Sequence, residues 1–332
     1  MSSALPDLSM APVVVQNEMA ALRTALDQEI PLKREIDRNT LIATWNIRAF
    51  GSLTEEWETG PGVSPKRNYR GLHAIAEIVS RFDVIALQEL TGDLRALRTL
   101  LKTLGPNWSF LMTDESEGSL GKNERLAFLF NTTRVKLSGM AGELAAPDDP
   151  QFLEDLSPDD PFRQFARTPY AVSFSTPTDT FILTTVHILY GANEAARVPE
   201  LTAIAKWMKS WAKRSKRWHH NLLVLGDFNT DRIGSPGYEA FTSTGLMVPE
   251  DLHTVPRTVT NDNPGLEKFY DQIAWFTSGR KEQLTMEFIK AGGFNFEPIL
   301  YESAPQLTPT QMSWYVSDHL PLWAEFKASP RR

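Results

Sequence analysis

The 332-residue chain contains no cysteine. Disulfides, thiolate metal sites and cysteine nucleophiles are therefore excluded. A chain without disulfides fits a reducing compartment, although secreted proteins can lack them too. Long apolar runs are also missing, and no segment approaches the ~20 apolar residues that span a bilayer. The first 22 residues carry no Lys or Arg, and "APVVV" is too short for a signal core, so no secretion signal is read. Positive charge is in deficit: 34 Lys and Arg face 41 Asp and Glu, a net charge of −7. That balance argues against coating nucleic acid by net charge, while local basic patches can still grip phosphate. A cytoplasmic monomer with no membrane span and no protein partner is the expectation.

What is present is ordinary for a globular protein, with 42% hydrophobic and 23% charged residues. Residues 1–39 read as a leader: a loose start, then a short helix over 17–30 with Met19, Leu22 and Leu26 at helical spacing and few anchors. From Thr40 the pattern turns to short apolar runs between polar loops. "TLIATWNI" (40–47), "DVIALQEL" (83–90), "RLAFLFN" (125–131), "YAVSFST" (170–176), "TFILTTVHI" (180–188), "NLLVLGDFN" (221–229), "YDQIAWF" (270–276) and "LPLWAEF" (320–326) all suit strands. Several lack strict alternation, as strands covered on both faces do.

Two further helices are legible. Residues 70–82 place Leu72, Ile75, Ala76 and Val79 on one face, and residues 200–218 do the same with Leu201, Ile204, Met208 and Trp211. The other side of the second carries Lys206, Lys209, Lys213, Arg214, Lys216 and Arg217, which reads as a solvated face. Residues 40–328 show no linker and no fixed repeat, so one domain is expected there, with 329–332 a tail. Long polar loops over 51–68, 138–168, 230–268 and 291–316 are expected to rim a site.

The chemistry lies where the strands end. Asn46 and Arg48 close the first, Glu89 the second, His187 the fifth, and Asp227 and Asn229 the sixth; Asp271 opens the seventh, and "SDH" (317–319) precedes the last. A lone Glu or Asn at such a place is usually a loop or turn residue. The recurrence matters, because side chains at one end of neighbouring strands can converge. Carboxylates and amide oxygens without thiols suit a hard cation such as Mg²⁺ or Mn²⁺. Histidines beside carboxylates suit proton transfer, and arginines suit phosphate.

"WNIR", "LQEL", "GDFN", "YDQI" and "SDHLP", in this order over about residues 40–327, resemble the endonuclease/exonuclease/phosphatase superfamily, whose fold is that of deoxyribonuclease I. The likeness leans toward the deoxyribonuclease I subgroup: "GKNERLAFLFN" looks like its stretch with a catalytic Glu, here Glu124. "FARTPYAVSFST" looks like its arginine segment, here Arg167, and His187 stands where abasic-site endonucleases commonly have Tyr. Thr91 departs from that subgroup, which near this point has an arginine that enters the minor groove.

The resemblance implies a four-layer α/β sandwich: two packed mixed β-sheets flanked by helices. It implies metal contacts from Glu89, Asn46, Asp318 and Asp227, with Mg²⁺ or Mn²⁺ as cofactor and Ca²⁺ as an accessory ion. His319 with Asp271, and His187 with Glu124, become the proton-transferring pairs. Asp227 and Asn229 orient water, and Arg48, Arg167 and Asn229 hold phosphate. Nucleic acid is then the expected substrate and direct attack by water the expected reaction. A phosphatase or lipid phosphodiesterase of the same superfamily is the alternative. A non-catalytic binding member is disfavoured, because it would show gaps in the motif set. His73, His219, His220 and His253 fall outside the motifs, and Trp108, Trp211 and Trp218 read as packing residues.

Overall fold

All eight apolar runs are strands in the computed structural model, which describes residues 6–34, 38–145, 165–214, 221–259, 268–279, 283–302, 304 and 307–328. In chain order the strands are β1 (Asn39–Phe50), β2 (Val84–Leu90), β3 (Trp108–Met112), β4 (Arg125–Asn131), β5 (Lys136–Glu143) and β6 (Tyr170–Ser175). There follow β7 (Thr180–His187), β8 (Asn221–Asp227), β9 (Leu246–Met247), β10 (Asp271–Phe276), β11 (Glu287–Gly293) and β12 (Leu322–Lys327). They form two six-stranded sheets, ordered β11-β12-β1-β2-β4-β3 and β5-β6-β7-β8-β10-β9. Both are mixed: β1 runs parallel to β2 and β7 parallel to β8, while the other pairs are antiparallel.

The helices are α1 (Val13–Glu29), α2 (Tyr69–Val79), α3 (Arg95–Leu104), the single turn α4 (Gly118–Gly121), α5 (Val198–Arg214), α6 (Pro236–Thr242) and α7 (Pro309–Ser313). The period of two along β1 sorts its residues. Leu41, Ala43, Trp45 and Ile47 join the core under α1, α2 and α3, whereas Ile42 belongs to the core between the sheets. The contiguous cluster that contains Ile42 extends to Leu201, Ile204 and Met208 of α5, and helices flank the two packed sheets. This is the expected four-layer sandwich.

Helix α1 differs from the expectation of a weakly anchored segment. It starts at Val13 and buries Val15, Glu18, Met19, Leu22 and Leu26. The Glu18 carboxylate forms an ion pair with Arg70 of α2 and accepts the Tyr301 N–H at 2.7 Å. The expected loops also contain structure: β5 reaches into 138–168, α6 and β9 lie within 230–268, and β11 and α7 both fall in 291–316.

His73 packs against Trp57, His253 lies 3.3 Å from the Val248 carbonyl, and Trp108 and Trp211 pack beside the cores. Lys216, Arg217, Trp218, His219, His220, the Arg214 side chain and the 329–332 tail lie outside the described residues. Among the described residues, no helix is long and apolar enough to cross a membrane.

Candidate active site

Strand register brings the first three groups together. Asp227 ends β8; its partner across the parallel ladder is His187, and across the antiparallel ladder it is Asp271. Three strands from one sheet thus present a carboxylate, an imidazole and a second carboxylate at one level. Gly226 makes the close approach possible. Its φ is +137°, and a Cβ there would stand 2.1 Å from the Val186 carbonyl oxygen.

The other sheet contributes Asn46 and Glu89. Asn46 shares a face with Ile42 and Thr44, pointing between the sheets. Strict alternation along β2 would send Glu89 the opposite way, with Ile85 and Leu87 toward the helices. The backbone breaks that rule. The β1–β2 register shifts between Asn46 and Phe50, the β2–β4 register shifts between Leu87 and Leu90, and Glu89 takes φ +62°. Such bulges re-aim a side chain, and here Glu89 turns into the cleft. Its Oε2 accepts the Ala49 N–H at 2.9 Å and its Oε1 the Asn46 Nδ2 at 3.1 Å. Asn46 Nδ2 also donates to Asp227 Oδ2 at 3.0 Å.

Two imidazole–carboxylate pairs flank Asp227. His319 Nδ1 lies 2.6 Å from Asp271 Oδ2, and its Nε2 lies 4.0 Å from Asp227 Oδ2. His187 Nδ1 lies 3.1 Å from Glu124 Oε2, and its Nε2 lies 3.5 Å from the same Asp227 oxygen. Asp271 is hydrogen-bonded to its ring nitrogen, whereas Glu124 stands close to His187 Nδ1 without hydrogen-bond geometry; in each ring the other nitrogen is turned to Asp227.

Charge in this pocket is tightly coupled. Burial pushes the Asp271 carboxyl up to about 6, against the pull of His319 and with the repulsion of Asp227. Burial alone would lower the His319 imidazole, but Asp271, Asp227 and Asp318 outweigh it and hold it well above its ordinary range. The two titrate as a pair that keeps its proton on the imidazole. Burial would raise Glu89; His187, the Ala49 N–H, His319 and Asn46 together bring it below its usual value.

The remaining expected residues divide. Arg48 faces an open cavity of about 420 Å³ that it shares with Asp318, His319, Tyr190, Lys268 and Tyr270. Its guanidinium donates to Ser313 Oγ at 2.6 Å and lies 3.5 Å from Asp318. Asn229, at φ +50°, donates its backbone N–H to Asp227 Oδ1 at 2.9 Å and its amide to the Ile188 carbonyl at 2.7 Å. Arg167 departs from expectation. Rather than opening onto substrate, its side chain is 2% exposed and lies 2.6 Å from Glu124, directing that carboxylate.

Among the described residues, no three His, Asp or Glu groups form a ready ligand cluster. Asp318 Oδ2 lies 3.5 Å from Arg48, and its Oδ1 is buried without a hydrogen-bond partner. Yet the oxygens around Asn46 suit a hard ion. Glu89 and Asp227 share one amide donor, and Asn46 Oδ1 is buried without a hydrogen-bond partner. Glu89, Asp227 and Asn46 are the residues that fit such an ion.

Sequence reasoning missed three supporting residues, each acting through main-chain groups and so lacking a motif. Arg67 donates to the carbonyls of Arg48, Ala49 and Val316 beneath the Glu89 bulge. Arg197 donates to the carbonyls of Tyr190 and Asn229 and pairs with Asp231. Glu200 accepts the Ala166 N–H at 3.0 Å and the Leu189 N–H at 2.8 Å, tying together the segments that carry Arg167 and His187.

Residues 43–319 match the profile of the endonuclease/exonuclease/phosphatase family. The chain belongs to that family. Family members are hydrolases acting on phosphoester bonds. A deoxyribonuclease of Thioalkalivibrio sp. (strain K90mix) is 27% identical over 303 residues, spanning 87% of this chain and 71% of that protein. A mannosyl-6-phosphatase of Bacteroides thetaiotaomicron has the same fold, with a TM-score of 0.59, 19% identity and coverage of 86% and 99% of the two chains. The TDP2 of D. rerio complexed with a single-strand DNA product does so too, with a TM-score of 0.53, 14% identity and coverage of 87% and 98%. The fold is shared with both solved structures, while the activities for which these proteins are named differ.

Proposed function

We propose that this chain is a divalent-cation-dependent phosphodiesterase that cleaves nucleic acid, DNA first, by direct attack of water. One observation carries the reading: two imidazoles, each backed by a carboxylate, face the same oxygen of Asp227 from 3.5 and 4.0 Å. In-line hydrolysis of a diester needs a proton acceptor beside the incoming water and a proton donor beside the departing oxygen. Two opposed imidazoles supply both.

In this reading the water sits between Asp227 and His319. In the neutral form of the ring, His319 Nε2 takes its proton as the oxygen attacks phosphorus, and Asp271 stabilises the imidazolium that results. His187 delivers a proton to the leaving oxygen, oriented by Glu124, which Arg167 fixes in place. Arg48 binds a phosphate oxygen at the mouth of the 420 Å³ cavity. Mg²⁺ or Mn²⁺ held by Glu89, Asp227 and Asn46 would supply Lewis acidity toward the phosphoryl oxygens. With no cysteine and no G-x-S-x-G turn, a covalent intermediate on such a nucleophile is not invoked. The similarity to a protein named deoxyribonuclease supports DNA as the polymer.

The test is a panel of supercoiled plasmid, single-stranded DNA, RNA, sugar and inositol phosphomonoesters and sphingomyelin, each with Mg²⁺, Mn²⁺, Ca²⁺ or EDTA. Cleavage of DNA with the monoesters untouched supports the proposal. Rapid release of inorganic phosphate with plasmid left intact overturns it in favour of a phosphatase, and choline-phosphate release in favour of a lipid phosphodiesterase.

A further inference from the structure

A second cavity, of about 710 Å³, lies beside the first and takes no part in the chemistry described above. The partition between them is α7 with the residue that follows it. Thr310 and Ser313 line the catalytic cavity, whereas Gln311 and Trp314 line the other. Its walls carry four aromatic rings, Trp57, Tyr301, Tyr315 and Trp314, and Lys66 stands among them.

We propose that this cavity is a stacking subsite for a base of an unpaired nucleotide strand whose scissile phosphate lies in the catalytic cleft. The proposal rests on the nucleic-acid reading above and narrows it to single-stranded or locally opened substrate. Trp314 is the central residue. One exposed aromatic is unremarkable by itself. Here, however, the ring is 45% exposed and also held: the Arg48 guanidinium stacks 3.7 Å from its centroid, and Ser313 Oγ pins that guanidinium at 2.6 Å. A ring fixed in this way orders little on binding.

Continuity selects the occupant. Arg48 lines the catalytic cavity beside Asp318 and His319, and it stacks on the ring that lines the second cavity. A phosphate held at Arg48 therefore leads, over one turn of helix, to a flat group at Trp314. A helix is ~10–12 Å across and stacked nucleotides rise ~3.4 Å, so the stacked base lies roughly three nucleotides from the cleaved bond. The volume suits one base with its sugar. Every base offers a π-face, so aromatic walls accept any of them. A base inside a duplex has both faces covered and cannot enter.

The experiment is an abasic scan. End-labelled 12-nucleotide DNA and RNA strands, each lacking one base at a defined position, are bound to the full chain in EDTA and followed by fluorescence anisotropy. The expected result is a loss of about tenfold at one position or two adjacent ones and little elsewhere. With Trp314→Ala the scan becomes flat, and the intact strand binds about as weakly as the affected abasic strand. A flat scan on the unaltered protein, no measurable binding, or a dip that survives Trp314→Ala overturns the subsite. The scan on the unaltered protein needs no variant, so poor folding of Trp314→Ala leaves the test standing. A clear dip without hydrolysis when Mg²⁺ is restored counts against the nuclease reading alone. DNA and RNA profiles that differ only in strength identify the preferred sugar.

Discussion

Asn46 Nδ2 lies 3.0 Å from Asp227 Oδ2, a hydrogen bond that joins β1 of one sheet to the end of β8 of the other. The same amide reaches Glu89 at 3.1 Å, so one side chain sets the spacing of two carboxylates. Without it, two negative groups face one another with no donor between them. Asn46→Ala is expected to lower kcat/KM on DNA by about 10²–10³, as loss of one preorganised polar group does. It should also weaken Mn²⁺ binding by roughly 10–100-fold, measured by electron paramagnetic resonance of free Mn²⁺. Unchanged affinity would remove Asn46 from the ion site.

The Asp271–His319 pair sets an acid limb in the pH profile. Burial works against charge on His319, but Asp271, Asp227 and Asp318 hold its proton to well above the ordinary imidazole range. If the neutral ring takes the proton of water, kcat/KM rises with pH through that elevated value. Asp271→Asn removes the nearest charge, so the limb should move to lower pH while the plateau falls by orders of magnitude, the tautomer no longer being fixed. A limb that stays in place would assign it to another group. The linkage has the matching sign: stabilisation by this imidazole is full below its unfolded value of ~6.5 and is lost as pH rises through the folded one.

Glu200 acts at one remove. Each of its oxygens accepts one backbone N–H, from Ala166 and from Leu189. In Glu200→Gln a single oxygen remains and the new NH₂ faces a donor. His187 and Arg167 should then lose their spacing. Hydrolysis of DNA, whose alkoxide must be protonated, is expected to fall about 10²-fold, but hydrolysis of an aryl phosphodiester with an easy leaving group much less. Combined with His187→Ala, the second substitution should add little. Equal losses on both esters, or simple additivity, would make Glu200 a structural residue only.

Residues ahead of β1 also bear on stability. The Glu18 and Arg70 side chains are only 5% and 8% exposed, and Glu18 additionally receives the Tyr301 N–H. Glu18→Gln removes the buried carboxylate charge that faces the guanidinium, and urea unfolding should show a loss of about 3–5 kcal/mol. A change under ~1 kcal/mol would mean that water reaches the pair.

The central strands were legible because each carries an unbroken apolar run, and the chemistry was legible because it recurs where those runs stop. The four unread strands, β3, β5, β9 and β11, are the four sheet edges. Trp108–Met112 is half-buried along its length and Lys136–Glu143 alternates between exposed and half-buried, so neither shows the apolar density of an interior strand. Glu89 was found by motif, but how it reaches the cleft was hidden, because a bulge overturns the alternation that sequence reasoning relies on. The phosphate role of Arg167 rests on the family resemblance of its segment, and its burial against Glu124 is not visible in a sequence. Arg67, Arg197 and Glu200 escaped because main-chain partners leave no residue pattern. Glu18 carries no signal in the sequence, because its partner Arg70 stands on α2, 52 residues further along the chain.

The most direct measurement is nicking of supercoiled plasmid by the intact chain and by Glu89→Gln, in EDTA and after adding back Mg²⁺ or Mn²⁺. The account predicts no nicking in EDTA, recovery with either ion, and a rate at least about 10³-fold lower for Glu89→Gln at saturating ion. Nicking that persists in EDTA, or a Glu89→Gln rate equal to that of the unaltered chain, would contradict it.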